Sequence, residues 1–236
     1  MTETGIEFSS DITVKLIRTW GTDKVVPETA RVSSIGDEEY AELLLHEGDE
    51  YLLTQGDMAL IEMLSENGHT SPFEHVGATF FLDVPIFVMR EWMRHRTQSY
   101  NEVSGRWKVL DGRFYVPDLD RPVLQVGRTG DYSFEPDAIV ATIAQHSIRS
   151  ACENSWREYQ WMLSHAVAKE VARMVLPVNI YTQVIVSANY LNWVRFLNLR
   201  AAPQAMHEIR DAAYQVKGLL NEAFPVSTDA WFKDGK

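Results

Sequence analysis

Apolar residues recur along this chain at two spacings. Over residues 12–19, Ile12, Val14 and Leu16 are separated by polar or charged positions, a period of two that predicts a strand. Val76, Ala78, Phe80, Leu82 and Val84 alternate with Gly77, Thr79, Phe81 and Asp83, so a second strand with one strongly apolar face should run up to Pro85. Residues 181–188 repeat the pattern, with Thr182, Val184 and Val186 set against Gln183, Ile185 and Ser187. Phe114, Tyr115 and Val116 suffice for a short strand.

Elsewhere the spacing is helical. Residues 37–45, 58–67, 136–164, 168–176 and 189–200 carry such patterns; Gly68 stands at the C′ position of the second, Pro177 stops the fourth, and Asn189 is suited to cap the fifth. Pro85 opens a helix that carries Arg90, Glu91 and Arg94, and Pro203 opens a last long helix ending near Phe224. Residues 69–75 read as a polar loop in which Pro72 holds Ser71 extended, and 117–136, rich in Asp, Gly and Pro, as a long surface loop. Strands and helices interleave, but the segment after the 85–94 helix offers no obvious parallel strand, which favours α+β over a doubly wound sheet. No Ser/Gly-rich linker or charge block divides the apolar residues. The whole chain, 1–236, therefore reads as one domain with its core at about residues 12–224.

Composition acts mainly by exclusion. A formal charge of −11 argues against nucleic acid as a partner. The first ten residues are too polar and acidic for a signal peptide, and no apolar stretch is long enough to span a bilayer, so a cytoplasmic protein without membrane partners is expected. The single cysteine, Cys152, rules out an internal disulfide framework and reads as a small buried hydrophobe.

Against this acidic background, residues 94–106 gather Arg94, Arg96 and Arg106 with the carboxamides Gln98 and Asn101, hydroxyls including Ser99 and Ser104, and the carboxylate Glu102. Only a local cluster of guanidinium groups can reverse the potential where a phosphate must sit in such a chain. One reading has Arg94, His95 and Arg96 simply facing the negative end of a helix, worth about 0.3–1 kcal/mol per cation. That reading leaves Ser99, Asn101, Glu102, Ser104 and Arg106 unexplained, and the segment is better read as an anion site.

Arg200 follows Trp193 by seven residues and Phe196 by four, so it shares a helical stripe with two aromatics and needs an acceptor. A buried ion pair or a helix-terminus contact serves that need as well as a site does. Arg195 falls on a more exposed face, and Arg173 can pair with Glu170. His69 and His75 fit neither the helical pair of zinc proteases nor a Cys/His finger, and neither a Walker sequence nor the Gly-rich dinucleotide fingerprint is present.

The segment around these arginines resembles the flavin-dependent thymidylate synthases. That family's signature, Arg-His-Arg, seven residues, then Ser, is met by Arg94-His95-Arg96 and Ser104. Further matches are Ala30-Arg31-Val32-Ser33, Gly68-His69, Pro72-Phe73-Glu74-His75, Glu170-Val171-Ala172-Arg173 with Leu176-Pro177, and Phe196-Leu197-Asn198-Leu199-Arg200-Ala201. The resemblance spans about residues 30–210.

The resemblance implies a mostly antiparallel sheet flanked by long helices, and conversion of dUMP to dTMP. Methylenetetrahydrofolate would be the one-carbon donor, FAD the hydride carrier and NADPH its reductant. It implies FAD contacts at Ser71, Arg94, His95, Arg96 and Asn189, with Tyr190, Leu191 and Arg195 beside them and Glu102 near both flavin and nucleotide. The implied dUMP site is Glu91, Trp92, Met93, Arg94, Glu102, Val103, Ser104, Gly105, Arg106, Arg173 and Arg200. Arg200 would be catalytic, stabilising the uracil as N3 ionises, with no covalent enzyme nucleophile and no metal. The family assembles as a homotetramer with FAD between subunits, which implies active sites shared between chains.

This chain departs from the family at a few positions. Glu91 stands where many members have Gln, Leu191 replaces an arginine, Arg195 replaces Asn or His, and Gln204 occupies a common His position. Two other readings stay open on the residues alone. One is a nucleotide-binding regulator without turnover; the other is a metal-dependent nucleotide hydrolase using His69 and His75.

Overall fold

The computed structural model describes residues 5–33, 36, 52–128 and 131–233; the helix expected over 37–45 lies outside them. In chain order the elements are β1 (Glu7–Ser9), β2 (Thr13–Trp20), α1 (Val25–Arg31), α2 (Gln55–Glu66), a 3₁₀ turn (Ser71–Glu74), β3 (Gly77–Pro85), α3 (Ile86–Trp92), β4 (Ser99–Glu102), β5 (Arg113–Tyr115), β6 (Leu124–Arg128), β7 (Asp131–Glu135), α4 (Ala138–Ser164), α5 (Lys169–Ala172), a second 3₁₀ turn (Arg173–Val175), β8 (Tyr181–Asn189), α6 (Tyr190–Arg200), α7 (His207–Ala223) and α8 (Pro225–Phe232). The class is α+β, as the interleaved pattern predicted. No helix among the described residues is long and apolar enough to cross a membrane.

Contacts group the chain into two compact units. The first comprises Met1–Ile12, Asp83–Glu91 and Glu102–Gln183. Its spine is α4, capped by the Asp137 carboxylate, which accepts from the Ile139 and Val140 N–H groups at 2.9 and 3.0 Å. Cys152, Trp156 and Tyr159, at i, i+4 and i+7, turn inward and pack with Ile6, Phe114, Ala172 and Ile180. β1 pairs in parallel with β5, Phe8 opposite Phe114. The stretch expected to be a surface loop, 117–136, instead contains the antiparallel hairpin β6–β7. Its alternating Tyr132 and Phe134 were hidden among turn residues, and both remain about half exposed. The helix expected over 168–176 is a single α-turn, α5, tightened into 3₁₀ geometry before Pro177.

The second unit comprises Thr13–Leu82, Trp92–Asn101 and Val184–Lys236. It holds most of a four-stranded sheet in the order β2-β3-β8-β4. Ala78, Phe80 and Leu82 of β3 are fully buried, as their alternation predicted, and Phe80 meets Trp193 of α6 edge to face at 4.9 Å. Gly77 lies where a Cβ would fall 2.2 Å from the Trp20 ring and 2.5 Å from the Ala188 carbonyl, so only glycine lets β3 run beside β2 and β8. Ile209, Ala212, Ala213, Val216 and Leu220 form the buried stripe of α7.

Several boundaries in this unit differ from the sequence pattern. α2 starts at Gln55 because Thr54 and Asp57 form a capping box, with the cap four residues ahead of the first apolar position, Met58. α7 starts at His207 rather than Pro203. Ser71 opens a 3₁₀ turn rather than an extended segment, because burying Phe73 against Tyr190 and Trp231 fixes the turn. Neither α1 nor α8 was expected. α8 is capped by Asp23, whose carboxylate accepts from the Val226 and Ser227 N–H groups at 2.9 and 3.0 Å, a partner some two hundred residues distant that no local pattern reveals. Burial pushes the Asp23 pKa up, against the Ser227 and Val226 hydrogen bonds that favour its charged form.

Candidate active site

The arginine-rich segment is not a helix end. α3 stops at Trp92, so Arg94, His95 and Arg96 lie in a turn, and the expected helical pair of Arg90 with Arg94 does not form. Ser99–Glu102 then pairs into the sheet beside β8. The polar cluster is thus divided: a turn and strand in the second unit, and residues 102–106 in the first.

In the first unit, Glu102, Val103, Ser104, Gly105 and Arg173 line one cavity of about 440 Å³, together with Leu110, Tyr181 and Thr182. Chain turning at Ser104 places them there: the Trp107 and Lys108 N–H groups donate to its carbonyl, and the Arg106 N–H lies 3.3 Å from its hydroxyl. Gly105 is buried against Arg173, whose Cδ would be 3.1 Å from a Cβ at that position. The Thr182 hydroxyl donates to the Glu102 carboxylate at 2.7 Å and so fixes the one acid in the cavity wall. Glu170 pairs with Arg106 at 2.9 Å, not with Arg173 as the sequence allowed. Both partners are more than half exposed, where such a pair is worth about 0–1 kcal/mol and yields readily to a dianionic phosphate. Glu91, half-buried near the end of α3, belongs to this unit but not to the cavity lining.

In the second unit, Arg200 finds its acceptor in His95. Its Nε donates to His95 Nε2 at 3.0 Å. An arginine Nε–H only donates, so this imidazole is neutral with its proton on Nδ1. The His95 ring stands edge-on to Phe196 at 4.9 Å, and Trp92, fully buried, stacks on the same ring at 4.4 Å. The aromatic stripe thus packs as predicted and holds Arg200 in a half-buried position. Arg94, Arg96 and Met93 are exposed.

Among the remaining expected flavin contacts, Asn189 caps α6, its side-chain Oδ1 accepting the Asn192 N–H at 3.0 Å. Tyr190 and Leu191 are core residues; the Tyr190 hydroxyl bonds Thr228 at 2.9 Å, and burial pushes its pKa up. They can meet a ligand only through their backbone. Arg195 is exposed, donating to Asn192 at 3.2 Å. Ser71 lines another cavity, of about 420 Å³, with His69 and the run Ala30, Arg31, Val32 and Ser33. Those residues matched the family in sequence but received no role. The signal was there: two motifs forty residues apart, both polar and both bordering apolar helices.

The Arg31 guanidinium in this wall is held by Asp57. Burial works against the Asp57 carboxylate, but the Thr54 N–H and hydroxyl and the Arg31 charge outweigh it and keep its pKa below the usual value.

Cys152 is in the core, 3.2 Å from Asn179 Nδ2, and burial pushes its thiol pKa up, so the reactive thiolate is disfavoured. Cys152→Ala should leave turnover within about twofold while lowering stability by about 1 kcal/mol, the order expected for a small buried truncation. Urea melts and initial rates measured together check this; a loss of turnover beyond tenfold in folded protein would give Cys152 a role.

These arginine, hydroxyl and carboxylate groups, set on an α+β scaffold, are chemically suited to an anionic, hydrogen-bonding ligand. A family model described as Thymidylate synthase complementing protein matches residues 15–226, and the chain belongs to the flavin-dependent thymidylate synthase family. The flavin-dependent thymidylate synthase of Streptomyces coelicolor is 43% identical over 201 residues, 83% of this chain and 77% of that protein. Its counterpart from Tropheryma whipplei strain TW08/27 is 36% identical over 241 residues, 97% and 95% of the two chains. Among solved structures, the UMP/dUMP methylase PolB from Streptomyces cacaoi bound with 5-Br dUMP superposes with a TM-score of 0.86 at 35% identity, covering 98% of both chains.

Proposed function

We propose that this chain converts dUMP to dTMP, taking the one-carbon unit from methylenetetrahydrofolate and using FAD reduced by NADPH, in a cytoplasmic homotetramer whose active sites are shared between subunits. The observation that carries the reading is the cavity in which Ser104, Gly105, Glu102 and Arg173 meet beside Arg106, in a family whose named relatives are thymidylate synthases. Relatives that bind dUMP analogues support the nucleotide.

The residues suit a flavin dinucleotide. Arg94 and Arg96 are exposed guanidiniums that can meet a pyrophosphate, Ser71 offers a hydroxyl and Asn189 a carboxamide. When bound, FAD supplies the hydride that completes the methyl group. The chain's own residues bind and orient. Arg106, Arg173 and the Ser104 hydroxyl hold the nucleotide phosphate, while Glu102, fixed by Thr182, faces the same cavity. Arg200 stabilises negative charge as the uracil N3 ionises, which raises electron density at C5 for attack on the one-carbon unit. No covalent bond from the enzyme to the nucleotide is needed, so Ser104 serves binding.

Purified protein should be yellow and should form dTMP only when dUMP, NADPH and methylenetetrahydrofolate are all present, with tetrahydrofolate as the folate product. The check is chromatography of both products from one reaction. Dihydrofolate in place of tetrahydrofolate would mean that the folate supplies the hydride, and would overturn the route assigned here.

A further inference from the structure

Gln98 and Tyr100 follow directly after the arginine-rich turn but have no part in the site assignments above. The Tyr100 hydroxyl lies 2.8 Å from the His95 carbonyl, 3.1 Å from the Trp92 carbonyl and 3.1 Å from Gln98 Oε1. Gln98 Oε1 also accepts the Trp92 indole N–H at 2.9 Å. The His95 N–H donates to the Trp92 carbonyl at 3.0 Å and the Gln98 N–H to the His95 carbonyl at 3.2 Å. Every one of these bonds ties the turn back to Trp92 or to itself.

The carboxamide of Gln98 is unusual in what it leaves unmet. The residue is 7% exposed, and its Nε2 is buried with no hydrogen-bond partner. Turning the amide over would aim that nitrogen at the indole N–H, which can only donate, so the orientation is fixed by Trp92. A buried amide nitrogen without an acceptor destabilises the fold. The Trp92 bond to the oxygen, with the share of the single Tyr100 proton that reaches it, therefore has to outweigh that penalty. Beyond Trp92 the chain of contacts continues: its ring stacks on Phe196, Phe196 packs on His95, and His95 accepts from Arg200.

We propose that Gln98 and Tyr100 are positioning residues that clamp the turn at residues 93–97 onto Trp92. The clamp aims Arg94 and Arg96 outward for the flavin and presents His95 Nε2 to Arg200. This inference rests on the flavin-dependent reading above.

The test uses Gln98→Met, which keeps length and apolar volume but removes the acceptor, and Tyr100→Phe, which keeps the ring and removes the hydroxyl. Each variant should raise the FAD dissociation constant of flavin-stripped protein about tenfold, the factor given by loss of one or two net hydrogen bonds. Each should lower kcat while leaving KM for dUMP within about twofold. Amide hydrogen exchange of residues 93–97 should speed up by about the same factor. Because both side chains serve one clamp, the double variant should bind FAD no more weakly than about the worse single one.

Folded variants with unchanged FAD affinity and unchanged exchange would overturn the clamp. Should Gln98→Met fail to fold, Tyr100→Phe decides alone by the same two measurements. Unaltered protein that binds no FAD would sink the flavin reading instead, and exchange of residues 93–97 in the variants would still support or overturn the clamp.

Discussion

Arg200→Ala is expected to slow dTMP formation by about 10²- to 10³-fold, the loss seen when one pre-aimed donor to a developing anion is removed. The structure explains why the effect should fall on chemistry more than on affinity. Arg200 ends a helix whose inner face, Trp193, Val194, Phe196 and Leu197, is buried, so its backbone does not adjust. Its Nε is held by His95, which fixes the plane of the guanidinium. Such a group does not have to be organised again as charge develops. By contrast, the residues we propose for the phosphate, Ser104, Arg106 and Arg173, all belong to the other unit. Arg200→Lys should recover only part of the rate, because an ammonium offers a point charge in place of a planar fork and cannot hold His95 in the same way. Stopped-turnover product assays and dUMP binding by calorimetry separate the two effects. Retention of more than a tenth of the turnover by Arg200→Ala would remove Arg200 from the catalytic role.

The strands β2, β3 and β8 and the helices α4 and α6 were legible because their apolar periods are long and uninterrupted. Arg200's packed stripe was legible for the same reason. Features fixed by distant partners were not. α8 depends on Asp23, and the early start of α2 on a capping box of polar residues outside the apolar pattern. The turn at Arg94 was mistaken for helix because cations after an apolar run resemble an ordinary helix end. What decides otherwise is the pull of Tyr100 and Gln98 on Trp92 and His95, which acts across the turn at short range but without periodicity. The pairing of Glu170 with Arg106, sixty-four residues away, was equally invisible to a local reading that offered Arg173.

How the arginines are distributed sets up the other large effect. Arg106 sits in the first unit and Arg200 in the second. If, as we propose, one active site takes Arg106 from one chain and Arg200 from another, Arg106→Ala and Arg200→Ala should each be nearly inactive alone and should complement when mixed. The arithmetic is simple. After reversible dissociation and random reassembly, each site draws the two arginines independently from an equal pool of the two variants. Roughly a quarter of sites then hold both intact, because a symmetric oligomer repeats the same interface at every site. Activity should therefore rise to about a quarter of the unaltered enzyme's, far above the residual rate of either variant. Mass measurement of the mixed oligomers is needed beside the assay, so that exchange of subunits is established independently of turnover. Hybrids that are confirmed by mass yet no more active than the better single variant would place both arginines of a site on one chain, and the shared-site assembly would have to be given up.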